Sequence, residues 1–512
     1  MRTPRRLLLP TFSVLVLVAV LAAPASASRP NAQNMSLEFF DSNPNFITSD
    51  IAFWGDTAFV GNYGGLRTYD ISDPANPVRL ADFSCFGPQN DPSVWDTDGN
   101  GQADLLVQSV DLTLEGPECG AVQSRHPDGT RHDEDPDGWE GVRLFDVSDP
   151  ANPVFLRAIY QDCGSHTNTM YPDLARNRLV VLNSSYPLRA GPTCGISHDG
   201  RDMTQNLANP FDSDPGSPAD PHHGVIQTVI IPLAGDAASS AAAAFEGPQL
   251  PINYPGDPDN VFDPAEHDLP GFGKLLACHD IAVFVPLKLV ASACAEQSQL
   301  WRINETGPNA GLPDTANPVW VFDEKQIDFH HSATFTWDGK VVNFIDESFG
   351  VGCPPVTRGV GQTGRMFFVD TDTGGKFSEF RLNRSQQPEE PDYCSAHMGS
   401  NVVASDNKYL LVNAWYTGGV DVIDFTNPKK PREVAYYDND GDEWSAYWYE
   451  QTGSDLTGPL NIFGTHGVEH VASGDPVLAS RARGFESFLA DVAANRIALD
   501  HLNPQVQEVL IP

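Results

Sequence analysis

Hydrophobic and polar residues alternate along this chain in short runs, broken every few residues by Gly, Pro, Asp or Asn. Such alternation, rich in Val, Ile, Phe and Tyr, predicts half-buried β-strands. The clearest unit is Gly65-Leu-Arg-Thr-Tyr-Asp-Ile-Ser-Asp-Pro-Ala-Asn-Pro-Val78. It returns as Gly141-Val-Arg-Leu-Phe-Asp-Val-Ser-Asp-Pro-Ala-Asn-Pro-Val154, and again as Gly419-Val-Asp-Val-Ile-Asp-Phe-Thr-Asn-Pro-Lys-Lys-Pro431. Each copy reads as strand, tight turn, strand, because proline presets φ at the turn and the Asx side chain bonds nearby amides.

Extending the pattern predicts seven units of about four strands. The first holds Ser49–Trp54, Thr57–Gly61, Leu66–Ile71 and Val78–Phe83. The later units open at Asp91, Ser165, Cys278, Phe329, Ser395 and Trp444. The seventh has Trp444–Tyr449, Leu460–Phe463 and His466–Val471 but lacks a fourth strand, which Met35–Phe40 can supply. The expected fold is all-β, a seven-bladed β-propeller of four-stranded antiparallel blades over residues 28–475, closed by an N-terminal strand. Closure of this kind leaves no exposed sheet edge. Residues 186–223 and 232–272, rich in Pro, Gly, Asp and Ala, read as insertions or loops of the third blade rather than a separate domain. Residues 476–512 form a short, partly helical C-terminal tail, with a helix-like stretch from Gly484 to His501 packed on the outside.

The first residues change the compartment. Met1-Arg-Thr-Pro-Arg-Arg6, an apolar run from Leu7 to Ala23 and Ala25-Ser-Ala27 spell a signal peptide over residues 1–27. No later segment is apolar enough to cross a bilayer, so a secreted or extracellular protein is expected. The formal charge of −37 becomes −40 once Arg2, Arg5 and Arg6 are removed. That excess excludes a nucleic-acid partner, since phosphate contacts need clustered Lys and Arg. All eight cysteines (Cys85, Cys119, Cys163, Cys194, Cys278, Cys294, Cys353 and Cys394) lie beyond the signal peptide. An even number in an exported chain points to disulfides, for which eight cysteines allow 105 connectivities.

The repeated phrase resembles the LVIVD-repeat family of exported propeller proteins, from about residue 35 to 475. His279-Asp280, His331-Ser-Ala-Thr334, Asp346-Glu347, Ala396-His397 and Ala414-Trp-Tyr416 resemble phrases of those proteins. The resemblance implies a fold and a location and brings no reaction with it.

Propeller geometry then orders the candidate chemistry. First strands begin, and second strands end, at one mouth of the central channel. Four successive first strands bring His166, His279, His331 and His397 to that mouth. Asp50, Asp91 and Glu443 or Ser445 take comparable places, and Asn62, Asn183, Asp346, Glu347 and Asn413 arrive from second strands. Imidazole is the commonest transition-metal ligand, so His166, His279, His331, His397, Asp346 and Glu347 form a candidate site for Zn, Fe, Cu or Mn. A water-filled polar channel is the competing reading. Cysteines flank the same mouth, where the pairs 85–119, 163–194, 278–294 and 353–394 would staple its loops. On the opposite side, Asp96, Asp98, Asn100 and Asp104 space their oxygens like the start of a calcium loop without its final Glu, or like an Asp-Gly hairpin turn.

The sequence lacks Gly-x-Ser-x-Gly, His-Glu-x-x-His and a P-loop. Two functions stand at this level. One is a secreted or cell-surface scaffold that binds a protein, glycan or small molecule. The other is a metal-dependent hydrolase or oxidoreductase that uses His279, His331 and His397 with Asp346 or Glu347.

Overall fold

The structure is a computed structural model. It describes residues 31–120, 139–161, 164–185, 225–253, 278–295, 297–324, 327, 329–347, 353, 364–384, 394–402, 408–438, 443–449, 460–465, 468–473, 501–503 and 506–507. The signal peptide expected at 1–27, the stretch 186–223 and residues 484–500 lie outside them.

Among the described residues the strands fall into six sheets. The first is an antiparallel meander of Thr48–Trp54, Thr57–Asn62, Gly65–Asp70 and Val78–Ser84. The second repeats it with Gln89–Trp95, Leu105–Glu115, Trp139–Asp146 and Val154–Tyr160. The third runs Thr167–Asp173, Arg178–Ser184, Val225–Pro232 and Phe245–Glu246. The fourth has Asp280–Phe284, Leu289–Cys294, Gln297–Arg302 and Trp320–Phe322. The fifth has His330–Phe335, Val341–Asp346, Met366–Asp370 and Lys376–Phe380.

The nine-stranded sheet contains two further sets of four. One is Met398–Val402, Leu410–Ala414, Val420–Asp424 and Arg432–Asp438. The other is Ser445–Tyr449, Leu460–Gly464 and Val468–Ser473, with Ser36–Asp41 as its outer member. Ser36–Asp41 pairs antiparallel with Val468–Ser473, as the Met35–Phe40 segment suggested. The two sets join where Met398 and Gly399 pair with Ser445 and Ala446 in parallel. Asn31–Gln33 adds to the outer edge at Arg432–Asp438, so the N-terminal segment spans both sets.

Burial explains the pattern in the sequence. Inner and second strands are buried on both faces, whereas Val78–Ser84 and Val154–Tyr160 are half exposed. Each apolar cluster is shared by two successive sets: Phe59 and Leu66 pack with Leu106 and Phe145, and Ile51 and Val60 pack with Tyr447 and Phe463. The continuous apolar runs of the second strands belong to sheets packed face to face, with both surfaces dry.

The Asp-Pro turns join third and fourth strands, and their side chains do the same work in each copy. Asp73 accepts from the Ala75 amide at 3.2 Å and from Asn76 Nδ2 at 2.8 Å. Asp149 repeats both bonds with Ala151 and Asn152, at 3.0 and 2.8 Å. The glycine that opens each phrase is required by close packing. A Cβ on Gly65 (φ 148°) would lie 2.0 Å from the Phe83 carbonyl oxygen, and one on Gly141 (φ 141°) 2.3 Å from that of Ile159.

Two segments outside the repeated units add local structure. The stretch 232–272 is not all loop: Ala237–Ala243 is a short helix, capped by Asp236 accepting from the Ser239 amide at 2.7 Å, and Phe245–Glu246 closes the third sheet. The described end of the tail, beyond the helix-like stretch, forms short strands. His501–Leu502 pairs with Phe53–Trp54, and Val506–Gln507 pairs in parallel with Val283–Phe284. Between them Asn503 bonds Val94 twice, accepting from its amide at 2.7 Å and donating to its carbonyl at 2.8 Å. These partners are the inner edges of the first, second and fourth sheets, at the end remote from His279 and His331. These are sheet edges, so the tail pairs with amides and carbonyls that an edge strand leaves open.

Candidate functional site

The inner strands lie side by side in chain order. Thr48–Trp54 contacts Gln89–Trp95, which contacts Thr167–Asp173, then Asp280–Phe284, His330–Phe335, Met398–Val402 and Ser445–Tyr449. Ser445–Tyr449 also lies beside Thr48–Trp54: the Ser445 hydroxyl donates to the Ser49 carbonyl at 3.3 Å, and Tyr449 donates to the Gly55 carbonyl at 2.9 Å. Hydroxyls at the strand entries set the register between sheets. Thr167 Oγ1 donates to the His279 carbonyl at 2.8 Å, and Ser332 Oγ donates to that of His397 at 2.9 Å.

This register lines up the four histidines. Ring centroids are 4.5 Å apart for His166 and His279, 3.7 Å for His279 and His331, and 4.3 Å for His331 and His397. All four are buried. They form an arc rather than one shell, and their partners separate their roles. His166 Nδ1 lies 2.7 Å from Asp111 Oδ2, and its Nε2 lies 3.2 Å from Gln89 Nε2. Both of its ring nitrogens are thereby occupied, and His166 belongs to no ligand group. Asp346 is also committed elsewhere, accepting from the Phe329 amide at 3.0 Å and the Gly364 amide at 3.2 Å.

Two ligand groups remain among the described residues. His279, Asp280 and His331 form one, and His331, Glu347 and His397 form the other; within each, the donor atoms lie within 4.8 Å of one another. Each contains two imidazoles and one carboxylate, and His331 belongs to both. Asp280 is the member that sequence reasoning missed. Its position in the strand matches that of Thr167 and Ser332, whose hydroxyls donate to the next strand. A carboxylate at a hydroxyl's place was the available signal.

Electrostatics favour the ligand form of the histidines. Burial holds the His279 imidazole well below its usual pKa, helped by His166. Burial does the same to His331, helped by His279 and His397. Burial also takes His397 down to about 3, although its Nδ1 bond to the Trp444 carbonyl opposes the shift. The rings are therefore neutral, the form in which an imidazole can bind a cation. Burial raises the Asp280 and Glu347 carboxyls to about 7 each. Desolvation outweighs the neighbours that favour ionisation, Thr167 and His166 for Asp280 and Tyr416 for Glu347.

Tyr416 lies beside Glu347 and His397. Its hydroxyl donates to Glu347 Oε1 at 2.8 Å, and its ring lies 4.5 Å from His397. Its φ of 51° is unusual for an aromatic residue. Backbone bonds to Glu443 in both directions, at 3.0 and 3.1 Å, hold it there. A bulky side chain in this strained region costs about 1–3 kcal/mol and persists only where the surroundings impose it.

Three disulfides lie among the described residues: Cys85–Cys119, Cys278–Cys294 and Cys353–Cys394. These match three of the expected pairs, while Cys163 and Cys194 fall outside the described residues. Cys278 directly precedes His279, and Cys394 stands three residues before His397. The Asp96–Asp104 loop turns its oxygens onto its own backbone. Asp96 accepts from the Gly99 and Gly101 amides at 2.7 Å, Asp98 from that of Asn100 at 2.9 Å, and Asn100 Oδ1 from that of Gln102 at 2.8 Å. Asp104 accepts from the Thr97 amide at 2.7 Å and from its hydroxyl at 2.5 Å.

Residues 47–82 match the family model of the LVIVD repeat. The match coincides with the first four-stranded sheet and its Asp-Pro turn, so the chain is an all-β protein that carries an LVIVD repeat. No curated protein matches it. No helix among the described residues is long and apolar enough to cross a membrane, and the three disulfides fit an oxidising compartment.

Proposed function

We propose that this chain is an exported seven-bladed β-propeller and a metal-dependent enzyme, hydrolytic or oxidative, with a transition-metal centre at one mouth of its channel. The ring is supported by the succession of inner strands, the apolar clusters shared between neighbouring sets and the Ser36–Asp41 strand on the last set. Export is supported by the disulfides and by the signal-like first 27 residues.

One observation carries the metal reading. His331 is fully buried, and neither of its ring nitrogens has a hydrogen-bond partner among the described residues. Leaving a buried polar group unpaired costs about 1–3 kcal/mol, and a bound ion removes that cost. Two histidines with one carboxylate also match the donor sets of catalytic zinc and of mononuclear iron, which leave positions open for water or substrate. The ion would act as Lewis acid or electron carrier. Glu347 and the Tyr416 hydroxyl, already hydrogen-bonded, form the pair through which a proton could pass beside it.

The test is thermal melting of EDTA-stripped protein with Zn, Fe, Cu or Mn added in turn. Ligand binding to the folded state alone raises its stability by RT ln(1 + [L]/Kd). At least one ion should raise the melting temperature of the wild type and leave His331→Ala unmoved. If no ion shifts the wild type, the metal reading fails. A non-catalytic binding scaffold would then follow, favoured by the stapling of Cys278–Cys294 and Cys353–Cys394 beside the same histidines.

A further inference from the structure

The two ligand groups do not merge into one. Asp280 and Glu347 belong to different groups, as do His279 and His397, and only His331 belongs to both. His331 lies between its neighbours, with ring centroids 3.7 Å from His279 and 4.3 Å from His397. Its Nε2 is 4.0 Å from Glu347 Oε2, which assigns that nitrogen to the Glu347 and His397 side. On the other side, His279 Nδ1 is 3.5 Å from Asp280 Oδ2.

One ion would satisfy half of this arrangement. Held by His331, Glu347 and His397, it would leave Asp280 Oδ2 buried with no hydrogen-bond partner among the described residues. Held by His279, Asp280 and His331, it would leave Glu347 with the Tyr416 hydroxyl alone and one ring nitrogen of His331 without a partner among the described residues. An unpaired buried carboxylate is among the costliest groups in a protein interior. Two cations, one per carboxylate, remove both costs together.

A ring nitrogen has one in-plane lone pair, so two ions that share His331 must take one nitrogen each. We propose that the site is dinuclear, with His331 bridging two transition-metal ions as an imidazolate. One ion would be held by Nε2 together with Glu347 and His397, and the other by Nδ1 together with His279 and Asp280. The inference rests on the metal reading above and extends it. Binding of the second ion breaks the remaining ring N–H bond. The proton leaves to solvent, its electron pair becomes the new metal–nitrogen bond, and no oxidation or reduction takes place. Bridged in this way, the ions lie on opposite edges of one ring, the arrangement that lets two Cu(II) spins couple.

The experiment is titration of EDTA-stripped full-length protein with Cu(II), followed by metal content after gel filtration and by electron paramagnetic resonance. The wild type should retain two ions per chain, and its signal should fall below the sum of two isolated Cu(II) centres. Asp280→Asn and Glu347→Gln, which keep side-chain volume, should each retain one ion with a full, uncoupled signal. Circular dichroism of both variants guards against misfolding. Retention of one ion by the wild type overturns the bridged pair and leaves a mononuclear centre standing. Two ions with a full, uncoupled signal also overturn the bridge. Retention of none overturns the metal reading itself.

Discussion

Asp50 offers a test of burial at the strand entries, at a residue outside the proposed ligand groups. It is 1% exposed and sits at the entry of the first inner strand. The Ile51 amide donates to it at 3.2 Å, and the nearby Tyr447 and Ser445 side chains favour its ionised form. Burial nevertheless raises its pKa from 3.8 to about 7, and Asp280 adds to the rise. Desolvation therefore outweighs the groups that favour the ionised form. The folded state holds this proton more tightly than the unfolded chain, so the stabilisation is complete below pH 3.8 and is lost as pH rises through 7. A shift of about 3 units corresponds to about 4 kcal/mol in full. Between pH 5 and pH 8 the loss is about 2–3 kcal/mol by the same linkage. Asn cannot ionise, so Asp50→Asn should escape it. In urea titrations with EDTA present, the stability of Asp50→Asn relative to wild type should rise by about 2–3 kcal/mol from pH 5 to pH 8. A relative stability that stays flat, or falls with pH, would refute the claim that this carboxyl is desolvated.

Three further outcomes test the frame. Ending the chain at Asp500 removes the pairing at Phe53–Trp54, the two Asn503 bonds and the pairing at Val283–Phe284. At about 1 kcal/mol net per hydrogen bond this should cost several kcal/mol, visible as a lower melting temperature and faster amide exchange at Val94 and Val283. Gly65→Ala should destabilise by at least about 1–2 kcal/mol from positive φ alone, with the Phe83 carbonyl contact adding to it, whereas Ala at exposed Gly99 should cost less. Cys278→Ser with Cys294→Ser opens a loop of 16 residues and should cost about 3 kcal/mol, measured by urea titration against wild type under non-reducing conditions.

The strands were legible because their burial repeats. Alternation marks half-wet outer strands such as Val78–Ser84, and continuous apolar runs such as Leu179–Leu182 mark sheets covered on both faces. The Asp-Pro turns were legible because Asp73 and Asp149 bond residues two and three positions away, within the window where sequence spacing is decisive. The site was readable only in part. The entry histidines share a register, so their convergence could be inferred. Which of them stay free depends on distant partners: Asp111 and Gln89 occupy His166, and the Phe329 and Gly364 amides occupy Asp346. Neither spacing nor residue type signals such contacts. The tail was opaque for a related reason. Asn503 meets Val94 across 409 positions, through a side-chain amide with no periodic pattern to reveal it. Family likeness adds the repeat over residues 47–82 and leaves the chemistry to the inner strands.

The most direct measurement is elemental analysis of protein purified without chelators and dialysed to remove loosely bound ions. The account predicts a transition metal in whole-number ratio to the chain, absent from His331→Ala of unchanged circular dichroism. Metal-free wild type that takes up none of Zn, Fe, Cu or Mn would contradict it.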